Sequence, residues 1–148
     1  MTIETTVIDS IDRRIIDILR VDGRTSWREL AERIALAPSS AADRVRRLEA
    51  AGVIRGYSAS IDQRSLGRDV RAVIDASLAP GDDPARFEER LRDRDEVFLA
   101  AYVTGPADYT IIVDCPGAAG LDEFIRWLKA EAGVARTESK FVLRPVVG

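Results

Sequence analysis

Histidine is absent from this chain of 148 residues, cysteine and methionine occur once each, and aromatic residues make up only 6%. Without histidine there is no Ser-His-Asp or Cys-His catalytic arrangement, no imidazole metal ligand, and no side chain whose ordinary pKa lies near neutrality. The single cysteine, Cys115, excludes an internal disulfide and a CxxC zinc ribbon. The longest uninterrupted apolar run, Val97 to Val103, is seven residues, far short of the ~20 that a membrane span requires. The opening MTIETTVIDS has no basic stretch followed by an apolar one, so no secretory signal is expected. Neither a glycine-rich phosphate loop nor a metal-ligand cluster is evident. The expectation is a non-enzymatic protein of a reducing compartment, cytoplasmic, with no metal, no cofactor and no membrane partner.

What the chain has is enough apolar residue, 46%, for a real core, and a length that fits one average domain or two small ones. Its net charge is −3, unevenly spread. Up to Leu66 there are 11 arginines against 10 acids, a net of +1; the remainder holds 11 cations against 15 acids, a net of −4. An acidic protein binds nucleic acid only through a local basic face. One such cluster is Arg44, Arg46 and Arg47, followed by Arg55.

The first third reads as three short helices. Ile11, Ile15, Ile18 and Leu19 recur at helical spacing over residues 10–22, with Asp9 or Ser10 as N-cap and Gly23 as the stop. Ser26-Trp27-Arg28-Glu29 is a capping-box pattern opening a second helix, with Trp27, Leu30, Ala31 and Ile34 as its core stripe. After a break at Ala35–Pro38 a third helix runs to about Ala50 and stops at Gly52. On that helix Ala41, Val45 and Leu48 share one face, and the opposite arc carries Ser39, Ser40, Asp43, Arg44, Arg46 and Arg47. Small polar residues that approach base edges, beside arginines that reach guanine or phosphate, suit a major-groove helix; a merely solvated helix face carries similar residues.

The order Ile11-Asp12, Ile15, Leu19, Asp22-Gly23-Arg24, Glu29-Leu30-Ala31, Leu36, Pro38, Arg44-Val45, Arg47-Leu48-Glu49 and Gly52-Val53-Ile54-Arg55-Gly56-Tyr57 resembles the N-terminal half of the Lrp/AsnC, or feast/famine, transcription regulators. Ala37 departs from that family's usual serine before the proline; the loss of such a cap costs about 1 kcal/mol, and Ser39 is a candidate to replace it. The resemblance implies a helix-turn-helix domain over residues 1–54 and a linker strand over 55–66 that pairs with its counterpart in a dimer. Read from the residues alone, Gly52 to Ile61 is a strand-like run ending in a turn at Asp62-Gln63, with a small wing packed on the three helices as the alternative.

From Val70 onward the pattern is strand, helix, strand, strand, helix, strand. Val70 to Leu78 alternates, Asp83-Pro84 caps a helix with Phe87 and Leu91 inward, and Val97–Val103 and Tyr109–Cys115 form two strands. Leu121, Phe124, Ile125 and Leu128 mark a second helix ending at Gly133, and Val134 to Arg144 is the last strand. This βαββαβ order is the ferredoxin-like plan, so the fold class is α+β, with a winged-helix-like first domain and a ferredoxin-like second one over 67–148. This second part is similar to the family's effector-binding (RAM) domain. The matching residues are Val103-Thr104-Gly105, Asp108, Gly133-Val134, Thr137 and Ser139.

The resemblance implies a regulator that binds promoter or operator DNA, is associated with the nucleoid, and assembles as a dimer and then a tetramer or octamer. Its small effector, often an amino acid, sits between dimers. Asp108 would take the ammonium of such a ligand, and Thr104, Gly105, Thr137 and Ser139, beside Val103, would meet its carboxylate. An ordinary hairpin turn favours the same glycine, proline and aspartate. Pro106-Ala107 and Ser139-Lys140 depart from the residues relatives often carry there. Two other readings remain: an architectural DNA-binding protein with no effector, and a haem-biosynthesis decarboxylase of the same two-lobe plan, which the missing histidines argue against.

Overall fold

The computed structural model describes residues 7–146, which divide into two compact units, one ending at Ser60 and the other beginning at Ile61. In the first, Asp9 caps α1 (Ser10–Val21) through a reciprocal capping box with Asp12. Ser26 caps α2 (Trp27–Ile34) by accepting from the Glu29 N–H at 3.2 Å. The Glu29 carboxylate turns instead to Arg33 at 2.8 Å, so only half of the expected box forms. Ala35, in the left-handed region at φ 57°, turns the chain into α3 (Pro38–Ala50). At its end Gly52 adopts φ 69°, with its N–H on the Glu49 carbonyl and the Val53 N–H on Leu48. This is a Schellman closure that glycine satisfies without steric cost.

Ile15, Leu30, Ala31, Ile34, Ala41, Val45 and Leu48 bury together where the three helices meet. Trp27 does not join them. It is 46% exposed, because the stripe it shares with Leu30 and Ile34 sets a direction but supplies no neighbour at the helix's first position. The expected strand over residues 55–66 is also not formed. Residues 53–62 make no ladder and a 3-10 turn spans Gln63–Leu66. A strand exists only where another backbone takes its N–H and C=O groups, and among the described residues no segment pairs with it. Among the described residues no wing is formed either.

The second unit contains β1 (Val70–Leu78), α4 (Pro84–Arg92), β2 (Val97–Tyr102), β3 (Tyr109–Cys115), α5 (Gly117–Ala130) and β4 (Val134–Phe141). The strands form one antiparallel sheet in the order β2-β3-β1-β4. Ala72, Ile74, Ala76, Tyr109, Ile111 and Val113 bury on one face with Phe87, Leu91, Leu121, Phe124 and Leu128 of the two helices. The other face carries the Arg71–Asp114 pair, 2.6 and 2.7 Å, and Asp75 between Thr110 and Lys140.

Candidate nucleic-acid interface and effector loop

The geometry of α3 follows from its stripe. Ala41, Val45 and Leu48 are fully buried, which turns Ser39, Ser40, Asp43, Arg46 and Arg47 outward, all of them exposed. Ala37 is the N-cap and makes no side-chain cap bond. Ser39 does not replace it; it lies inside the helix, because Pro38 at the first helical position fixes where the helix starts. Ser39 and Ser40 therefore stand in the first turn, where the unpaired backbone N–H groups carry partial positive charge.

Arg44 differs from its neighbours. It is only partly exposed, and its Nη1 lies 2.7 Å from Asp9 Oδ2 and 2.9 Å from Asp12 Oδ1. Arg47 donates from Nη2 to Asp12 Oδ2 at 2.5 Å, and Arg46 pairs with Asp43 at 2.6 Å. The Asp12 N–H, first, and the Arg44 guanidinium, second, hold the Asp9 carboxyl below its ordinary range. Asp9 and then Asp12 raise the Arg44 guanidinium, which stays charged throughout. Asp12, fully buried, is the residue that sequence reasoning missed. Its signal was an acid sitting on the Ile11–Ile15 stripe, three residues after a cap. Tyr57 closes the unit from the far side: its ring edge stands where a Cβ on Gly23 would come within 3.0 Å, and its hydroxyl donates to Glu49 at 3.0 Å.

In the second unit the loop between β2 and β3 is pinned to β1. The Asp108 carboxylate accepts from the Leu78 N–H at 2.9 Å, the Asp108 N–H reaches the Ala76 carbonyl, and the Val103 N–H reaches the Asp108 carbonyl. Asp108 is first of all the clamp of this turn. Gly105 sits at φ 128°, which excludes ordinary side chains there. Thr104 and Gly105 are exposed, Val103 half-buried. Across the sheet Thr137 pairs with Ala76 and Ser139 with Ile74, so both lie on β4, two residues apart. A groove of about 320 Å³ adjoins the loop, lined by Asp75, Ser77, Pro106, Ala107, Arg136, Thr137 and Glu138. Of the six expected effector residues it includes Thr137; Arg136, which donates to the Pro106 carbonyl at 2.8 Å, was not foreseen. Among the described residues no cluster of acids and cysteine is arranged to hold a metal ion, and no helix is long and apolar enough to cross a membrane.

A family model described as winged helix-turn-helix DNA-binding matches residues 8–55, and one described as the Lrp/AsnC ligand binding domain matches residues 71–148. The chain belongs to the Lrp/AsnC family. It is 38% identical over 143 residues to the Bkd operon transcriptional regulator of Pseudomonas aeruginosa, covering 95% of this chain and 94% of that one. Among solved structures it is similar to a transcriptional regulator of Neisseria meningitidis in complex with L-methionine, at 30% identity and a TM-score of 0.91, covering 96% and 94% of the two chains. It is also similar to a feast or famine regulatory protein of Mycobacterium tuberculosis complexed with L-methionine, at 32% identity and a TM-score of 0.89, covering 96% of each. This Lrp/AsnC protein is a transcription regulator, not an enzyme, with a DNA-binding helix-turn-helix unit and an α+β ligand-binding unit. The haem-biosynthesis reading is set aside by these matches.

Proposed function

We propose that this protein is a sequence-specific promoter-binding regulator that lays α3 in the major groove and answers to an amino acid held by its second unit. The observation that carries the reading is the two-sided character of α3, fully buried on Ala41, Val45 and Leu48 and exposing serines and arginines on the opposite arc. Ser39, Ser40 and Asp43 are the residues nearest base edges in this reading, Asp43 accepting from a cytosine amino group, while Arg46 and Arg47 reach guanine or phosphate. Arg44 belongs to the same constellation in the sequence, with its charge committed inward.

The effector site is assigned to the turn formed by Val103, Thr104, Gly105 and Asp108, together with Thr137 and Ser139. A carboxylate has room for more than one donor, so an Asp108 that holds Leu78 still accepts an ammonium. Two relatives complexed with L-methionine support an amino acid as the ligand class. In this reading residues 1–54 bind DNA, residues 55–66 act as a hinge that becomes a strand against its counterpart, and the open sheet face joins copies into a dimer. Dimers close further into a tetramer or octamer, inside the cell where the DNA lies. The architectural reading gains no specific support, and the net −4 of the second segment opposes indiscriminate coating of DNA.

The test is binding to the duplex upstream of the protein's own gene at fixed salt, with and without each amino acid. Specific, multimeric binding that one amino acid shifts is expected. Weak, sequence-blind binding that no amino acid alters contradicts the proposal.

A further inference from the structure

Three arginines lie along the outer arc of α3, and their surroundings are unequal. The Arg46 side chain is 67% exposed and pairs with Asp43, itself 73% exposed. Arg47 is 50% exposed and lends Nη2 to Asp12. Arg44 is 27% exposed, with Nη1 shared between Asp9 and Asp12. Asp12 stands at the centre with no exposed side-chain surface. A carboxylate so deep persists only with its oxygens satisfied, and they are. Oδ1 accepts from Arg44, and Oδ2 accepts from Arg47 and from the Asp9 N–H at 3.1 Å.

The two arginines on Asp12 therefore have different freedom. Turning Arg44 toward a phosphate strips the inner carboxylate of its Oδ1 partner and Asp9 of the guanidinium beside it. Arg47 has five N–H donors in a fixed fork, so one nitrogen remains on Asp12 while the outer edge faces solvent. A guanidinium held at one corner by a rigid acceptor has given up most of its rotamer freedom before DNA arrives, and the cost of ordering it on binding falls accordingly.

We infer that Asp12 is a positioning residue for DNA recognition, withholding Arg44 from nucleic acid and fixing the pose in which Arg47 meets it. The inference rests on the assignment of α3 as the recognition helix and goes beyond it, since it divides three cations that the sequence presents as equivalent. Arg46 and Arg47 supply the DNA contacts of this helix, and Arg44 serves as a brace between α3 and α1.

The salt dependence of binding separates an arginine that meets phosphate from one that braces the helix. Removing one phosphate-bound cation flattens the slope of log K against log salt by about 0.9, and by about 1.8 where both copies in a dimer carry the change. The experiment is anisotropy of the full chain on a 40-base-pair duplex from upstream of its own gene and on a scrambled duplex of equal composition, from 50 to 300 mM KCl. Arg46→Gln and Arg47→Gln are expected to flatten the slope on both duplexes. Arg44→Gln is expected to lower the melting temperature and leave the slope unchanged.

Asp12→Asn removes the buried charge but leaves both cations, so the slope does not flatten. The preference for the upstream over the scrambled duplex falls about tenfold as Arg47 loses its pose, which a merely structural role for Asp12 does not predict. Should Arg44→Gln fail to fold, the Asp12→Asn/Arg44→Met double variant removes buried charge and brace together and takes its place in the slope comparison. Flattening by Arg44→Gln equal to that by Arg47→Gln, or an unchanged preference in Asp12→Asn, overturns the inference while leaving α3 as the recognition helix. Slopes insensitive to Arg46 and Arg47 alike overturn the assignment of the helix itself.

Discussion

No aromatic ring is buried among the described residues of the N-terminal unit, whereas the C-terminal unit buries Phe87, Tyr109 and Phe124. The helical unit packs isoleucines, leucines, a valine and alanines, and adds a buried acid with two arginines on it. In the sheet unit the rings of Phe87 and Tyr109 lie 4.8 Å apart and those of Phe124 and Trp127 5.5 Å. Large rings contribute burial and shape at once, so in the sheet unit they fill the space between sheet and helices. Its own buried acid, Asp114 on Arg71, ties neighbouring strands of the opposite sheet face rather than one helix to another. Small side chains let helices sit close but specify their angle weakly. In the helical unit the angle between α1 and α3 is fixed by charge, at the one place where a binding surface must be held still. The two tryptophans fall one in each unit, so Trp27→Phe and Trp127→Phe backgrounds report the units separately in the intact chain.

The largest expected effect is Phe87→Ala, at about 4 kcal/mol. It moves the Trp127 transition in a denaturant titration and leaves that of Trp27 in place. A shift of both together denies that the units hold separate cores. Asp12→Ala comes next, at about 3 kcal/mol, since it removes the buried carboxylate that ties Arg44 and Arg47 of α3 to α1 and leaves its space unfilled, and here the Trp27 signal moves. If Asp12→Ala is neutral, charge does not set the helix angle.

The pH dependence sharpens the contrast further. Burial, first, and Glu88, second, push the Tyr109 hydroxyl up to about 12, and burial followed by Glu96 pushes the Cys115 thiol up to about 11. Both groups hold their protons more tightly folded than unfolded. Their contribution, about 3 kcal/mol each, is complete below pH 9 and is lost as the pH rises through 9 to 12. Trp127 records it. Tyr57 of the helical unit shifts the same way but is half-exposed and contributes little. Asp9 has the opposite sign: its lowered pKa gives stability that is complete above its ordinary value near 3.8 and is lost as the pH falls below it, and Trp27 records that. Melting profiles of the two single-tryptophan proteins from pH 3 to 11 check both signs.

The smallest effect is Ala37→Ser, which supplies the missing cap of α3 and is expected to add about 1 kcal/mol. Trp27 again reports it, and an unchanged midpoint would mean that the first turn is already satisfied.

Periodicity made most of this fold legible. Leu121, Phe124, Ile125 and Leu128 could only be one face of a helix, and the alternation from Val70 to Leu78 only a half-buried strand. The start of α3 was less plain, because whether Ala37 or Ser39 caps it depends on the fixed φ of Pro38 more than on side-chain preference. The strand over residues 55–66 was implied by the family resemblance, in which its partner is a second chain, and Trp27 read as core because helical spacing reveals a face and not a neighbour. The outward arc of α3 was legible as a surface, but the division of its arginines was not, since Arg44 and Asp12 meet across 32 residues. Asp108 was named for a ligand, and its bond to Leu78, 30 residues away, was invisible for the same cause.

The most direct test of the account is the affinity of the Arg46→Ala/Arg47→Ala double variant for the upstream duplex of its own gene, measured beside the parent protein at one salt concentration. A loss of about a hundredfold, with assembly unchanged and the melting temperature lowered only as Asp12 gives up its Arg47 partner, is the predicted result. An affinity equal to that of the parent would contradict the placement of α3 against DNA.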